Sequence, residues 1–131
     1  MDFLLQAKRY IEENADLFVD LLSVGQQGDG DDIAIRPTPG NIEGRYADRG
    51  KVMRFQFQIL VNHKLNRTSY ETILDIANTL DGLRNGAITS SDGSFYMVKC
   101  ELYNTPQFVE RTSDGDLHTA LFEAELLIEE D

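Results

Sequence analysis

Apolar residues at Phe3, Leu4, Ala7, Tyr10 and Ile11 repeat at the spacing of one buried helix face, with Asp2 placed to cap it. The pattern predicts a helix from Asp2 to about Glu13, stopped by Asn14-Ala15-Asp16. The run Leu17 to Val24 is apolar without a clear period and fits strand or helix. Its β-branched and aromatic content and the following Gly25 lean it to strand. Gln26 to Asp31 is a polar, glycine-rich turn, and Ile33-Ala34-Ile35-Arg36 is a short strand closed by Pro37-Thr38-Pro39-Gly40. Alternation is clearest from Val52 to His63, where Phe55, Phe57, Ile59 and Val61 share one face and Arg54, Gln56 and Gln58 the other.

Farther on, Thr68 and Glu71 have the spacing of a capping box. Behind it Tyr70, Ile73, Leu74, Ala77 and Leu80 form one helical stripe ending near Gly82. Leu83 to Gly93 reads as a connector. Two strands follow, Phe95–Asn104 and Leu117–Ile128, separated by Thr105-Pro106 and the turn Thr112 to Gly115. In the last strand His118, Ala120, Phe122, Ala124 and Leu126 point one way, with Glu123 and Glu125 opposite. The predicted order is α-β-β-β-α-β-β: an α+β fold, a mainly antiparallel sheet flanked by two helices. Residues 1–131 make one domain by length. A loop or mobile arm is expected over about 40–51, where glycines and charges replace apolar anchors.

The chain carries 12 Lys and Arg against 23 Asp and Glu, a formal net charge of −11. That balance excludes a protein built to grip phosphate backbones, whose affinity rests on clustered cations. The charge is also segregated, with net −6 over residues 1–35, +5 over 36–67 and −10 over 68–131. Either a well-mixed folded surface or a head-to-tail contact between copies accommodates this polarity. In the second case Arg36, Arg45, Arg49, Lys51 and Arg54 are candidate contact residues, with Glu123, Glu125 and Glu129 as the acidic counterpart. No apolar run approaches the roughly 20 residues of a membrane span, and no signal peptide pattern opens the chain, so a cytosolic, membrane-free protein is expected.

Catalytic and metal constellations are not supported by spacing. His63 and His118 are isolated, and Asp29 to Asp32 lacks the spaced donors and terminal Glu of a calcium loop. The Gly25–Gly30 stretch precedes acids and a strand, not a Lys-Ser/Thr and a helix, so it is no phosphate cradle. Cys100 alternates with Val98 and Leu102 as a small core residue. The expectation is therefore no enzyme, no cofactor and no metal, but a binding surface.

Several segments also resemble the tail-terminator (tail-completion) or minor capsid proteins of long-tailed bacteriophages. They are the N-terminal helix, Leu17-Phe18-Val19-Asp20-Leu21-Leu22, and Asp32 through Pro37-Thr38-Pro39-Gly40. The Arg54–Val61 strand with its following helix and the strands ending Glu125-Leu126-Leu127-Ile128 complete the set. The resemblance implies a structural protein forming a ring, usually a hexamer, at the head-proximal end of the tail. Such a ring stops tail-tube polymerisation and joins the tube to the head connector. Its implied partners are further copies of itself, the tail-tube protein and a head-tail connector protein, with DNA passing through unbound. Assembly in the host bacterial cytoplasm and a place in the virion follow. A head-completion or connector protein and a monomeric regulatory binding module are the alternatives. The long polar stretch after Gly40 departs from the shorter loop of the family.

Overall fold

A computed structural model describes residues 2–25, 30–38, 41–45, 51–113 and 115–128, with only the backbone of 41–45 and of Lys51. Helix α1 spans Phe3–Asn14 and buries Phe3, Ala7 and Ile11, each one turn apart. Asp2 occupies the N-cap position without capping through its side chain. Its carboxylate instead accepts from Gln6 Nε2 at 2.9 Å, Ser90 Oγ at 3.1 Å and Ser91 Oγ, so the chain start is tied to a loop some 88 residues away. Those donors, Ser91 foremost, hold the Asp2 carboxyl well below the usual carboxylate range.

The segment expected as a strand over 17–24 is strand only at Ser23–Val24, here β1. The reason is where its backbone donors go. Asp16 N–H is taken by Asp75 Oδ2 at 2.6 Å and Leu22 N–H by Glu12 Oε2 at 2.8 Å, so helix carboxylates replace a neighbouring strand. Leu17, Phe18 and Val19 still pack against the core from this irregular stretch.

Strand β2 spans Asp32–Pro37, β3 Asn41–Arg45 and β4 Lys51–His63. The stretch after Gly40, expected as a loop, thus begins as a strand. β2 pairs with Phe57–Asn62 and β3 with Lys51–Arg54, both along the same edge of β4. Thr38 N–H bonds Gln56 O at 2.9 Å between them, so β2 and β3 together form one interrupted antiparallel partner. Residues 46–50 of the expected arm, Arg49 among them, lie outside the described residues.

Helix α2 spans Asn66–Leu80 and begins two residues before the expected capping box, which forms no side-chain cap. Its buried stripe is Ser69, Thr72, Ile73, Ile76, Ala77 and Leu80, rotated from the expected one so that Tyr70 is exposed. The rotation puts the Ser69 hydroxyl inside the protein, 3.0 Å from Val61 O, 2.9 Å from Asp116 O and 2.8 Å from His118 Nδ1. One hydroxyl proton serves one of the two carbonyls. The His118 Nδ1–H must then donate to Ser69 Oγ for the group to be satisfied. Burial lowers the His118 pKa, with Asp116 opposing the shift.

After β5, Leu83–Arg84, come the long strands β6, Tyr96–Thr112, and β7, Gly115–Ile128. β6 does not stop at Thr105-Pro106. It continues to Thr112 through four register shifts against β7. The first, between Met97 and Lys99, breaks the expected Val98–Cys100–Leu102 alternation, so Met97 and Cys100 are the fully buried pair. Burial pushes the Cys100 thiol up to about 12.

The result is a seven-stranded sheet ordered β1-β2-β4-β7-β6-β5 with β3 alongside β4, mostly antiparallel, the β1–β2 pair being parallel. Both helices pack into a single cluster of buried residues on the sheet, so the α+β class and element order are as expected. Phe3 anchors α1 there. Its ring stands edge-on to Phe55, Phe57 and Phe95 at centroid distances of 5.4, 5.7 and 5.4 Å.

Candidate assembly interface

The alternation that sends Phe57, Ile59, Val61, Ala120, Phe122 and Ala124 into the core sends their neighbours to the other face of the sheet. There the side chains form polar rows across the strands. Arg36 Nε donates to Gln58 Oε1 at 2.8 Å, Gln58 Nε2 to Thr119 Oγ1 at 2.9 Å, and Thr119 Oγ1 to Ile59 O at 3.0 Å. In the next row Gln56 Nε2 donates to Glu123 Oε2 at 2.9 Å, while Arg54 Nη1 lies 3.7 Å from Glu123 Oε1. Farther along, Lys99 Nζ sits 3.0 Å and Arg84 Nη1 3.9 Å from Glu101 Oε1. The hydrogen bond from Lys99 leads in lowering the Glu101 pKa.

These rows decide the placement of the sequence candidates. Arg54 stands opposite Glu125 in the β4–β7 register and forms an ion pair with Glu123, so three members of the two proposed partner sets meet within one chain. Arg36 lies in the neighbouring row, committed to Gln58. Arg45 and Lys51 are the last register pair between β3 and β4, at the end nearest residues 46–50. Arg49 and Glu129 lie outside the described residues. The Arg54–Glu123 pair is partly solvated and worth at most about 1 kcal/mol. Its effect is to balance charge on the open face.

Acidic residues outnumber basic ones on the helical side instead. Glu13, Asp16, Asp20 and Glu71 are exposed there, Glu71 in an ion pair with Arg67 at 3.4 Å, with Asp75 beside them. Asp16, Glu71 and Asp75, together with Leu17, Phe18, Thr68 and Thr72, line a cleft of about 420 Å³ between the α1 exit and α2. Among the described residues no group of three or more His, Cys, Asp or Glu gathers at metal-binding distance. No helix among them is long and apolar enough to cross a membrane.

Sequence reasoning missed the outer edge of β6. Tyr103, Phe108 and Val109 are exposed large residues on it, and the Phe108 ring packs edge-on against buried His118 at 5.4 Å. Tyr70 reaches the same imidazole from α2 at 5.6 Å. Only the placement of Phe108 and Val109 beyond Pro106, in a stretch too apolar for a turn, hinted at this surface in the sequence.

No family model matches the chain, and no curated protein matches it. Among solved structures, a chain of the virion of a native gene transfer agent (GTA) particle is similar in fold. The TM-score is 0.51 at 15% sequence identity, and the match covers 97% of this chain and 96% of that one. The likeness therefore extends over the whole architecture rather than one motif.

Proposed function

We propose that this chain is a structural component of a phage-like virion, acting as a tail terminator. In this reading it forms a ring, of six copies by family precedent, that caps the tail tube, halts its polymerisation and offers its other side to the head connector. The observation that carries the reading is the full-length likeness to a chain of a gene transfer agent virion. The resemblance of the Asp32–Gly40 and Arg54–Leu80 segments to tail terminators points the same way. A head-completion protein is the second reading, since it shares the virion context.

The physical chemistry is compatible with capping. A terminator needs one surface that joins the tube and another that does not propagate it, and a closed ring of asymmetric subunits has two unlike faces. This chain has a charge-balanced sheet face and an acid-rich helical side, so it is chemically two-faced. In this proposal the acidic side is the one that repels DNA phosphates along the conduit, and the role involves no catalysis. Deleting the gene from the genome that carries it and imaging the particles by negative stain tests the proposal. Tails of uncontrolled length, detached from heads, are expected. Normal tails of fixed length, joined to heads, would overturn it.

A further inference from the structure

One imidazole sits where α2, β4, β6 and β7 meet. His118 of β7 is 3% exposed, with Nδ1 2.8 Å from Ser69 Oγ of α2. That oxygen also reaches Val61 O of β4 at 3.0 Å and Asp116 O at 2.9 Å. Two aromatic rings cover the imidazole, Tyr70 of α2 at a centroid distance of 5.6 Å and Phe108 of β6 at 5.4 Å. Both rings are themselves exposed, so a layer one ring thick separates the histidine from water.

With Nδ1–H given to Ser69 Oγ, the neutral ring is satisfied. Nε2 has no hydrogen-bond partner among the described residues. A proton added there creates a charge and an N–H donor that no group of the fold receives. The neighbouring charges are already engaged. The Asp116 carboxylate of β7 takes both Arg111 Nε and Nη2 of β6, at 2.7 and 3.1 Å, with Asn66 of α2 donating as well. Glu71 of α2 pairs with Arg67 at 3.4 Å, and His63 of β4 with Asp31 at 3.4 Å. Glu110 of β6 stands opposite Leu117, whose side chain alternates to the other face of the sheet.

Of the two covering rings, Phe108 is the less firmly held. It lies between two register shifts of β6, Asn104/Gln107 and Phe108/Glu110. Among the described residues no strand pairs with the outer side of β6 there, since β5 reaches only Lys99 and Cys100. Tyr70 instead stands within the hydrogen-bonded body of α2.

We propose that His118 is an acid-sensitive joint, at which protonation of Nε2 displaces the Phe108 ring and loosens Gln107 to Arg111 while the rest of the sheet stays closed. Burial favours the neutral ring, with Asp116 opposing, so the second proton is taken up below the ordinary histidine value of 6.5. The stability the joint supplies is complete above the unfolded value and is lost as pH falls through the folded one. The device stands apart from the virion role.

Nuclear magnetic resonance of the full chain, labelled with nitrogen-15 and titrated from about pH 7.5 to about pH 4.5, tests the joint. His118 Nε2 and the backbone amides of Gln107 to Arg111 are expected to share one midpoint below 6.5, with the amides of β2 and β4 unmoved. In Phe108→Ala water reaches the ring, and the midpoint should rise toward 6.5. In His118→Asn the side-chain amide replaces Nδ1–H and cannot titrate, so Gln107 to Arg111 should not respond. An imidazole titrating at or above 6.5, arm amides that stay fixed while it titrates, or a response retained in His118→Asn each overturns the joint. So does a transition that moves the whole sheet together. If circular dichroism shows that His118→Asn does not fold, Phe108→Ala decides, and a midpoint unchanged from wild type overturns the joint.

Discussion

At Asp116 a single carboxylate holds the end of the sheet together. It is 1% exposed, and it accepts from Arg111 Nε at 2.7 Å and Nη2 at 3.1 Å. The Arg111 hydrogen bond leads in lowering its pKa, aided by the Asn66 side chain. A carboxyl depressed in the folded state contributes stability that is complete above its unfolded pKa of about 4. The contribution is lost as pH falls through the folded value. Denaturant midpoints measured from pH 7 to pH 2 should therefore decline below about pH 4. In Asp116→Asn the midpoint should be lower at pH 7, decline less on acidification, and converge with wild type at the acid end. Asp2 acts in the same direction through Ser91, Gln6 and Ser90, so the variant retains part of the acid sensitivity.

At the scale of elements, the β6–β7 hairpin depends on one glycine. Gly115 has φ of +141°, and a Cβ there would stand 2.5 Å from both the carbonyl carbon and oxygen of His63 and 2.7 Å from Lys64 N. All three are backbone atoms, so no rotamer change relieves the overlap. Gly115→Ala is expected to lower stability by about 1–3 kcal/mol, the range for forced overpacking, as read from the urea midpoint. The same region shows why helices and strands were not equally legible. Every third or fourth residue of α1 and every second residue of β4 and β7 report burial directly, and those elements fall where the pattern places them. β6 hides its continuity because each bulge resets the alternation, making Thr105-Pro106 read as a break. The α2 stripe was misplaced for a chemical reason. Ser69 is a polar residue whose buried partners, Val61 O, Asp116 O and His118, lie on other elements.

Across the whole molecule, the segregation of charge along the sequence does not survive folding unchanged. The basic stretch containing Arg54 and the acidic C-terminal strand come side by side as β4 and β7, and Arg54 is balanced by Glu123 in its own chain. Charge blocks were legible in the sequence. Their mutual cancellation was not, because it is set by pairings some 70 residues apart. What remains as net acid is moved to the helical side, where Asp16, Glu71 and Asp75 gather around one cleft. The exposed large residues of β6 are likewise not legible in the sequence. Exposure of Tyr103 and Val109 is a property of bulges, and a bulge is defined only against the partner strand.

Cys100, the single cysteine, has no exposed surface and a thiol pushed up to about 12 by burial, so it is unreactive while the sheet is closed. Its modification by a thiol reagent therefore counts openings of the protein one at a time. The chain carries its own chemical clock, which reads how often its fold breathes.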